Sequence, residues 1–365
     1  MLVIYNWILW LLCYYQAKKG ISHKIYPQSY SLSLKQYKKI ILLFLLYSLF
    51  TFFGGDIHND REMVEGGYHA AAYSDYFNVE YIYVLFAKFS FGQLVIWKFY
   101  VYGTTIFFTI WTLKRLNQVN SWYLLFFILL FLPIMGATRG VLAFSVYLFA
   151  VYFILECNKI NKILSVVLLI STYFLHASMA IPIVLFFVSK IKLKKILVIS
   201  LLVSIPFVSG IINEVIMPYL ENDAMFMASQ MGFKYQQYVY NEDVTFQTSF
   251  MQRIFNASTY LFTGLCLALS VCANWKIKLT KYATRLLSVC FFLSYLAGVI
   301  SLCDFQNSDV IARRFFTMVM YLLYLIIPEI IHSQYLSWKQ VKFLLVFGLF
   351  RVNWFFAMML WNEVS

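Results

Sequence analysis

KINKILSVVLLISTYFLHASMAIPIVLFFVSKIKLKK, residues 159–195, is the stretch on which the topology of this chain turns. Lys159 and Lys162 precede its apolar run, and Lys190, Lys192, Lys194 and Lys195 follow it. Basic loops of a membrane protein stay on the cytoplasmic side. A single crossing would put the second lysine cluster outside. A chain that goes up and comes back keeps both clusters inside, and the polar break Leu175-His176-Ala177-Ser178 predicts where it reverses. Each arm is then about 13 residues, 163–175 and 177–189, short of the roughly 20 that a straight crossing needs. Broken backbone at membrane depth survives only when buried in protein or lining a wet cavity. The stretch therefore predicts a short, re-entrant-like helical hairpin with His176 at its tip, facing an outward-open cavity.

Working outward, the same rule orders the whole chain. Apolar spans are predicted at 2–16, 40–54, 93–113, 121–136, 140–156, 196–214, 254–274, 283–302, 311–331 and 342–361. The loop 17–39 carries Lys18, Lys19, Lys24, Lys35, Lys38 and Lys39 and no acid, and Lys114–Arg115, Lys276–Arg285 and Lys339–Lys342 mark further basic loops. By contrast, 55–80 holds Asp56, Asp60, Glu62, Glu65, Asp75 and Glu80 against Arg61 alone. The basic loops are expected in the cytoplasm and the acidic ones outside. The fold class is then all-α: a single polytopic membrane domain over 1–365, with about 10–12 transmembrane helices and both termini outside. Residues 55–92 are expected to form an outer acidic loop plus an interfacial amphipathic helix over 78–92. The long loop 215–252 keeps many large rings, Tyr235 and Tyr238 among them. It is expected to cover the outer face as a lid or crevice wall.

Composition agrees. Of 365 residues, 62% are hydrophobic and 12% charged, against about 25% charged in a soluble domain. The net charge of +13 is a topology signal and calls for no nucleic acid. The six cysteines are scattered without a C-x-x-C pair, as small buried hydrophobes are. No basic leader with a small-residue cleavage site opens the sequence. There is no Walker loop, Rossmann glycine pattern or Ser-x-x-Lys nucleophile, so no nucleotide chemistry and no cofactor is expected.

Charges at or in the membrane are costly and mark function by default. Arg139, Arg253, Arg313 and Arg314 stand at the outer heads of apolar spans. Guanidinium groups stay charged and grip phosphate oxygens in a two-pronged fork, which suits a lipid-linked pyrophosphate. The bland alternative for each is snorkelling to lipid headgroups. Arg139 is the strongest case, set in the tight polar break Gly136-Ala137-Thr138-Arg139-Gly140. His176 is either a hydrogen-bonded structural residue or a base. In the acidic loop, Asp56 and Asp60 lie at i and i+4 beside Gly54-Gly55 and could supply a base or bind sugar hydroxyls. His58, Glu62, Glu65 and His69 have no H-E-x-x-H spacing, so no metal site is predicted.

Taken in order, these elements form a pattern. An outer Gly-Gly-Asp loop (Asp56) with downstream Tyr68, Tyr73 and Tyr76 precedes the aromatic segment Glu80–Leu85. Thr138-Arg139-Gly140-Val141-Leu142-Ala143-Phe144-Ser145 follows, then Phe174-Leu175-His176-Ala177-Ser178-Met179, then Lys234-Tyr235 and Tyr238, then Arg313-Arg314. The order resembles the EpsG family of Wzy-type polysaccharide polymerases over most of the chain, chiefly in its Arg-x-x-x-Ala and Phe-x-His-x-Ser elements. In the usual form a tyrosine follows the aspartate within a few residues, whereas Tyr68 comes twelve after Asp56.

The resemblance implies a bacterial envelope glycosyltransferase with a glycosyltransferase C-like architecture. It would sit in the cytoplasmic membrane with its active site on the extracytoplasmic face. It would join oligosaccharide repeat units carried on undecaprenyl pyrophosphate, alongside membrane lipids and in some systems a chain-length regulator. On that view Arg139, with His176 or Asp56 as base, is catalytic. Arg253, Arg313, Arg314, Asp60, Tyr235 and Tyr238 bind substrate, and no metal takes part. A transporter or flippase for the same lipid-linked sugar, and a ligase-type glycosyltransferase, are the rivals. Internal repeats between halves would favour the transporter, and none is visible. A membrane acyltransferase would want a histidine deep in the membrane, and His176 is all that fits it.

Overall fold

A computed structural model describes residues 81–115, 138–156, 159–189, 217–223, 250–272, 279–303 and 308–333, and isolated positions of which Tyr68 is one. Among the described residues the protein is all-helical, with no strand. The helices are α1 (Tyr81–Lys88), α2 (Leu94–Arg115), α3 (Thr138–Glu156), α4 (Lys159–Leu175), α5 (Ala180–Val188), α6 (Met217–Asn222), α7 (Phe250–Cys272), α8 (Lys281–Leu302) and α9 (Ser308–Ser333). The expected spans at 93–113, 140–156, 254–274, 283–302 and 311–331 correspond to α2, α3, α7, α8 and α9. The segments 40–54 and 121–136, and most of 2–16, 196–214 and 342–361, lie outside the described residues. By length and composition, α8 and the Ser308–Ile327 part of α9 are long and apolar enough to cross a bilayer.

The chain forms two compact units, one of 1–176 with 275–279 and 323–365, the other of 177–274 with 280–322. In the first, α2 packs on α3, α3 on α4, and α1 on both α2 and α4. Phe108, Trp111, Phe149 and Phe153 knit α2 to α3, with Trp111 and Phe149 centroids 4.7 Å apart. The amphipathic segment before α2 is helical over Tyr81–Lys88 and buries Val84 and Ala87. It turns into α2 through Phe91 and Gly92, both at positive φ (52° and 76°). Tyr68, expected in the outer acidic loop, is buried. Its hydroxyl bonds the Ser90 hydroxyl at 2.8 Å, and its ring lies 5.7 Å from Trp97.

Two helices of this unit bury polar side chains while leaving large apolar ones exposed. On α4, Ser165 and Thr172 are buried while Ile163, Leu164, Val167, Ile170 and Phe174 are exposed. On α2, Thr105, Thr109 and Thr112 are buried and Val95, Phe99 and Phe107 exposed. Those threonines donate to their own helix, to the carbonyls of Val101, Thr105 and Phe108 at 2.8–2.9 Å. In water such a surface would be a large apolar liability. In hydrocarbon it is the low-energy arrangement, because polar groups find partners only inside the protein.

The chain breaks where the sequence predicts. α4 ends at Leu175, the His176 N–H still donates to the Thr172 carbonyl at 3.0 Å, and a single 3₁₀ turn (Ala177–Met179) leads into α5. α4 begins at Lys159 and so takes in the basic residues before the apolar run, where a helix of about 13 residues is expected from the sequence.

In the second unit α8 is the hub, buried along nearly its whole length. Thr280 caps it, its side chain accepting from the Ala283 N–H at 3.1 Å. Its closest neighbour is α7, and α5 also packs on it. Small residues make this approach possible, as at membrane helix interfaces generally. Gly298 faces Leu261 so closely that a Cβ would overlap its side chain. Gly264 lies against Ser294, whose hydroxyl donates to the Tyr260 carbonyl at 2.7 Å. Gly298→Ala should therefore destabilise the protein by about 1–3 kcal/mol through overpacking. Gly103→Ala, on α2 with nothing within 4 Å of a Cβ, should leave stability unchanged or raise it by up to about 1 kcal/mol. Thermal unfolding of the two variants in detergent checks the contrast.

Candidate functional site

Three helix ends of the second unit meet at one place: the start of α7, the end of α8 and the start of α9. Asp309, in the first turn of α9, is buried there. Its Oδ1 accepts from the Asn256 amide of α7 at 3.2 Å and from the Ser301 hydroxyl of α8 at 3.3 Å. The same hydroxyl lies 3.3 Å from the Arg253 carbonyl. Arg313 Nη2 is 3.6 Å from Asp309 Oδ2, and the Arg313 side chain is 60% exposed. Farther along, Tyr260 of α7 and Phe316 of α9 lie with ring centroids 4.4 Å apart. A polar clasp and an aromatic contact thus tie the two arginine-bearing helices together.

The sequence places Arg253, Arg313 and Arg314 at the heads of spans. In the structure they sit further in: α7 starts at Phe250 and α9 at Ser308, so each arginine lies within the first two turns. Arg253 is half-buried, while Arg313 and Arg314 are exposed. Cations near a helix N-terminus oppose the macrodipole, so these positions do not serve helix stability. Asp309 offsets part of the cost.

His176 is half-buried at the break between α4 and the 3₁₀ turn, and belongs to the first unit, whereas Arg253, Arg313 and Arg314 belong to the second. Arg139 is the second residue of α3, so helix begins at the predicted polar break. Its side chain, and all of Asp56, Asp60, Tyr235 and Tyr238, lie outside the described residues. Of the long loop 215–252, the described part includes the short helix α6 and the first turn of α7. Among the described residues no group of three His, Cys, Asp or Glu side chains is placed to hold a metal ion.

A protein-family model described as the EpsG family matches residues 38–363. The chain belongs to the EpsG family. EpsG is a Wzy-type polymerase family, and membership makes this EpsG protein a membrane polymerase of polysaccharide biosynthesis, a glycosyltransferase-like enzyme. No curated protein and no solved structure matches it.

Sequence inspection missed Asp309, Asn256 and Ser301. The signal was present in helical spacing, since Asp309 precedes Arg313 by four residues and Asn256 follows Arg253 by three, which puts each pair on one helix face. Asn256→Ala and Ser301→Ala should each cost about 1 kcal/mol, because either donor alone still satisfies the buried oxygen. Removing both leaves it with no hydrogen-bond donor. The double variant should therefore lose more than the sum of the singles, as measured by thermal unfolding of the purified protein.

Proposed function

We propose that this EpsG protein polymerises a bacterial surface polysaccharide. It joins oligosaccharide repeat units carried on undecaprenyl pyrophosphate, at the extracytoplasmic face of the cytoplasmic membrane. The observation that carries the reading is the placement of Arg253, Arg313 and Arg314 on the N-terminal turns of two helices joined through Asp309 and Asn256. The far end of α8 follows Lys276 and Lys278 and carries Lys281 and Arg285, which supports a cytoplasmic place for that end. The arginine end then faces outward, where the rule disfavours basic residues unless a ligand wants them.

The chemistry follows from the charge. As the acceptor hydroxyl attacks the anomeric carbon of the donor, the bond from that carbon to the pyrophosphate oxygen breaks. The electron pair leaves with undecaprenyl pyrophosphate. Fixed guanidinium groups stabilise the charge that builds there, in the role a divalent metal fills elsewhere. The acceptor's proton passes to a base, for which His176 and Asp56 are the candidates. Arg139 is assigned to the same leaving group. Tyr235 and Tyr238 offer stacking faces and hydroxyls to sugar rings, and Asp60 an acceptor for sugar hydroxyls. The architecture proposed is a bundle of about 10–12 spans, with residues around His176 forming a short hairpin at the cavity.

A strain lacking the protein, complemented with wild type, Arg313→Ala or Arg139→Ala at matched membrane levels, tests this. Deletion should leave single lipid-linked repeat units, and wild type should restore long chains. Each arginine variant should cut polymer output about 100-fold or more, the scale of losing one transition-state donor. Failure of single units to reach the outer leaflet without the protein would make it a flippase. Unchanged chain length on deletion would sink the polymerase reading.

A further inference from the structure

We infer that Asp309 is the positioning residue of an anion site, holding the Arg313 guanidinium aimed outward for a diphosphate group. The inference rests on the polymerase reading above and adds a residue to its site. Three observations carry it. Asp309 is buried, and both of its hydrogen bonds fall on Oδ1, from Asn256 and Ser301. Its Oδ2 is buried with no hydrogen-bond donor, 3.6 Å from Arg313 Nη2. Arg313, one helical turn on, is 60% exposed, and among the described residues Asp309 is its ionic partner.

The arrangement fits an orienting role better than a structural ion pair. Ion pairs that serve stability close to hydrogen-bond distance, often as a two-pronged fork. At 3.6 Å the carboxylate attracts the guanidinium without occupying its N–H donors. Those donors stay available to a ligand's oxygens. The carboxylate itself cannot swing, because α7 and α8 each hold its other oxygen. A rigid, buried anion behind an exposed guanidinium limits the angles that the fork can adopt. Such preorganisation raises affinity by removing conformational loss on binding. Ser301, within 3.3 Å of both Asp309 Oδ1 and the Arg253 carbonyl, couples the clasp to the backbone that carries the second arginine. A diphosphate is the ligand class that matches two planar cations set on adjacent helices.

The test uses the full-length protein in nanodiscs of zwitterionic lipid, titrated with farnesyl diphosphate and, in parallel, with inorganic pyrophosphate. Asp309→Asn keeps an oxygen for Asn256 and Ser301 but turns a donor toward Arg313. It should weaken farnesyl diphosphate binding about tenfold while thermal stability stays near wild type. Arg313→Ala should weaken binding to a similar degree, and the double variant should be no weaker than Arg313→Ala alone. That non-additivity reports positioning, since two independent contributions would multiply. Arg313→Lys, which leaves the clasp untouched and removes only the fork, should also weaken binding several-fold. This arm keeps the proposal testable if Asp309→Asn fails to fold. Tighter binding of farnesyl diphosphate than of pyrophosphate supports a lipid-linked source of the anion, and equal binding supports a soluble one. Wild-type affinity in Asp309→Asn, or losses that multiply in the double variant, overturns the inference and leaves the polymerase reading standing. No diphosphate binding by wild type removes the site itself, and the glycan assay then decides the polymerase reading independently.

Discussion

Everything in this protein depends on where polar groups can find partners once water is absent. Lipid offers no hydrogen bonds, so each hydroxyl and backbone group on a lipid-facing helix must be satisfied by the helix or by its neighbours. On α7 the hydroxyls of Ser258, Thr259 and Thr263 donate to the carbonyls of Ile254, Phe255 and Thr259. Large apolar side chains such as Phe255 and Phe262 take the outer surface. The threonine row of α2 solves the same problem from the inside.

The same constraint explains how α8 packs. Between membrane helices, hydrophobic transfer supplies little attraction, and close contact with shared hydrogen bonds replaces it. Gly298 and Gly264 let α7 approach, and Ser294 bridges the gap to the Tyr260 carbonyl. Along the same interface, Ser301 continues the pattern and reaches the Arg253 carbonyl and Asp309. The interface that holds the helices together thus ends in the polar clasp. Packing and site share one line of small and hydroxylated residues.

The clasp also shows how cations are kept at the starts of two helices. Arg253, Arg313 and Arg314 all lie against an unfavourable helix dipole, on turns that lack any acid except Asp309. Burying one carboxylate among Asn256 and Ser301 offsets part of that repulsion without neutralising the cluster. On the function proposed above, that residual positive charge would meet the pyrophosphate leaving group of the glycosyl donor as its bond breaks.

The membrane character, the helical class and the position of the helix break at His176 were all legible in the sequence. Each follows from a local rule: apolar run length, charge sign in a loop, or a charge beside an apolar span. The fold of Tyr68 was not legible, because its neighbours suggest an outer loop while its ring and hydroxyl pack against Trp97 and Ser90. Nor was Asp309, whose sequence surroundings Asp304-Phe305-Gln306-Asn307-Ser308 read as an ordinary polar turn. Its partners Asn256 and Ser301 lie 53 and 8 residues away. A sequence states which charges a membrane must accommodate. Which distant amide and hydroxyl meet a given carboxylate depends on helix register, and Gly298, Gly264 and Ser294 set that register only once the helices are packed.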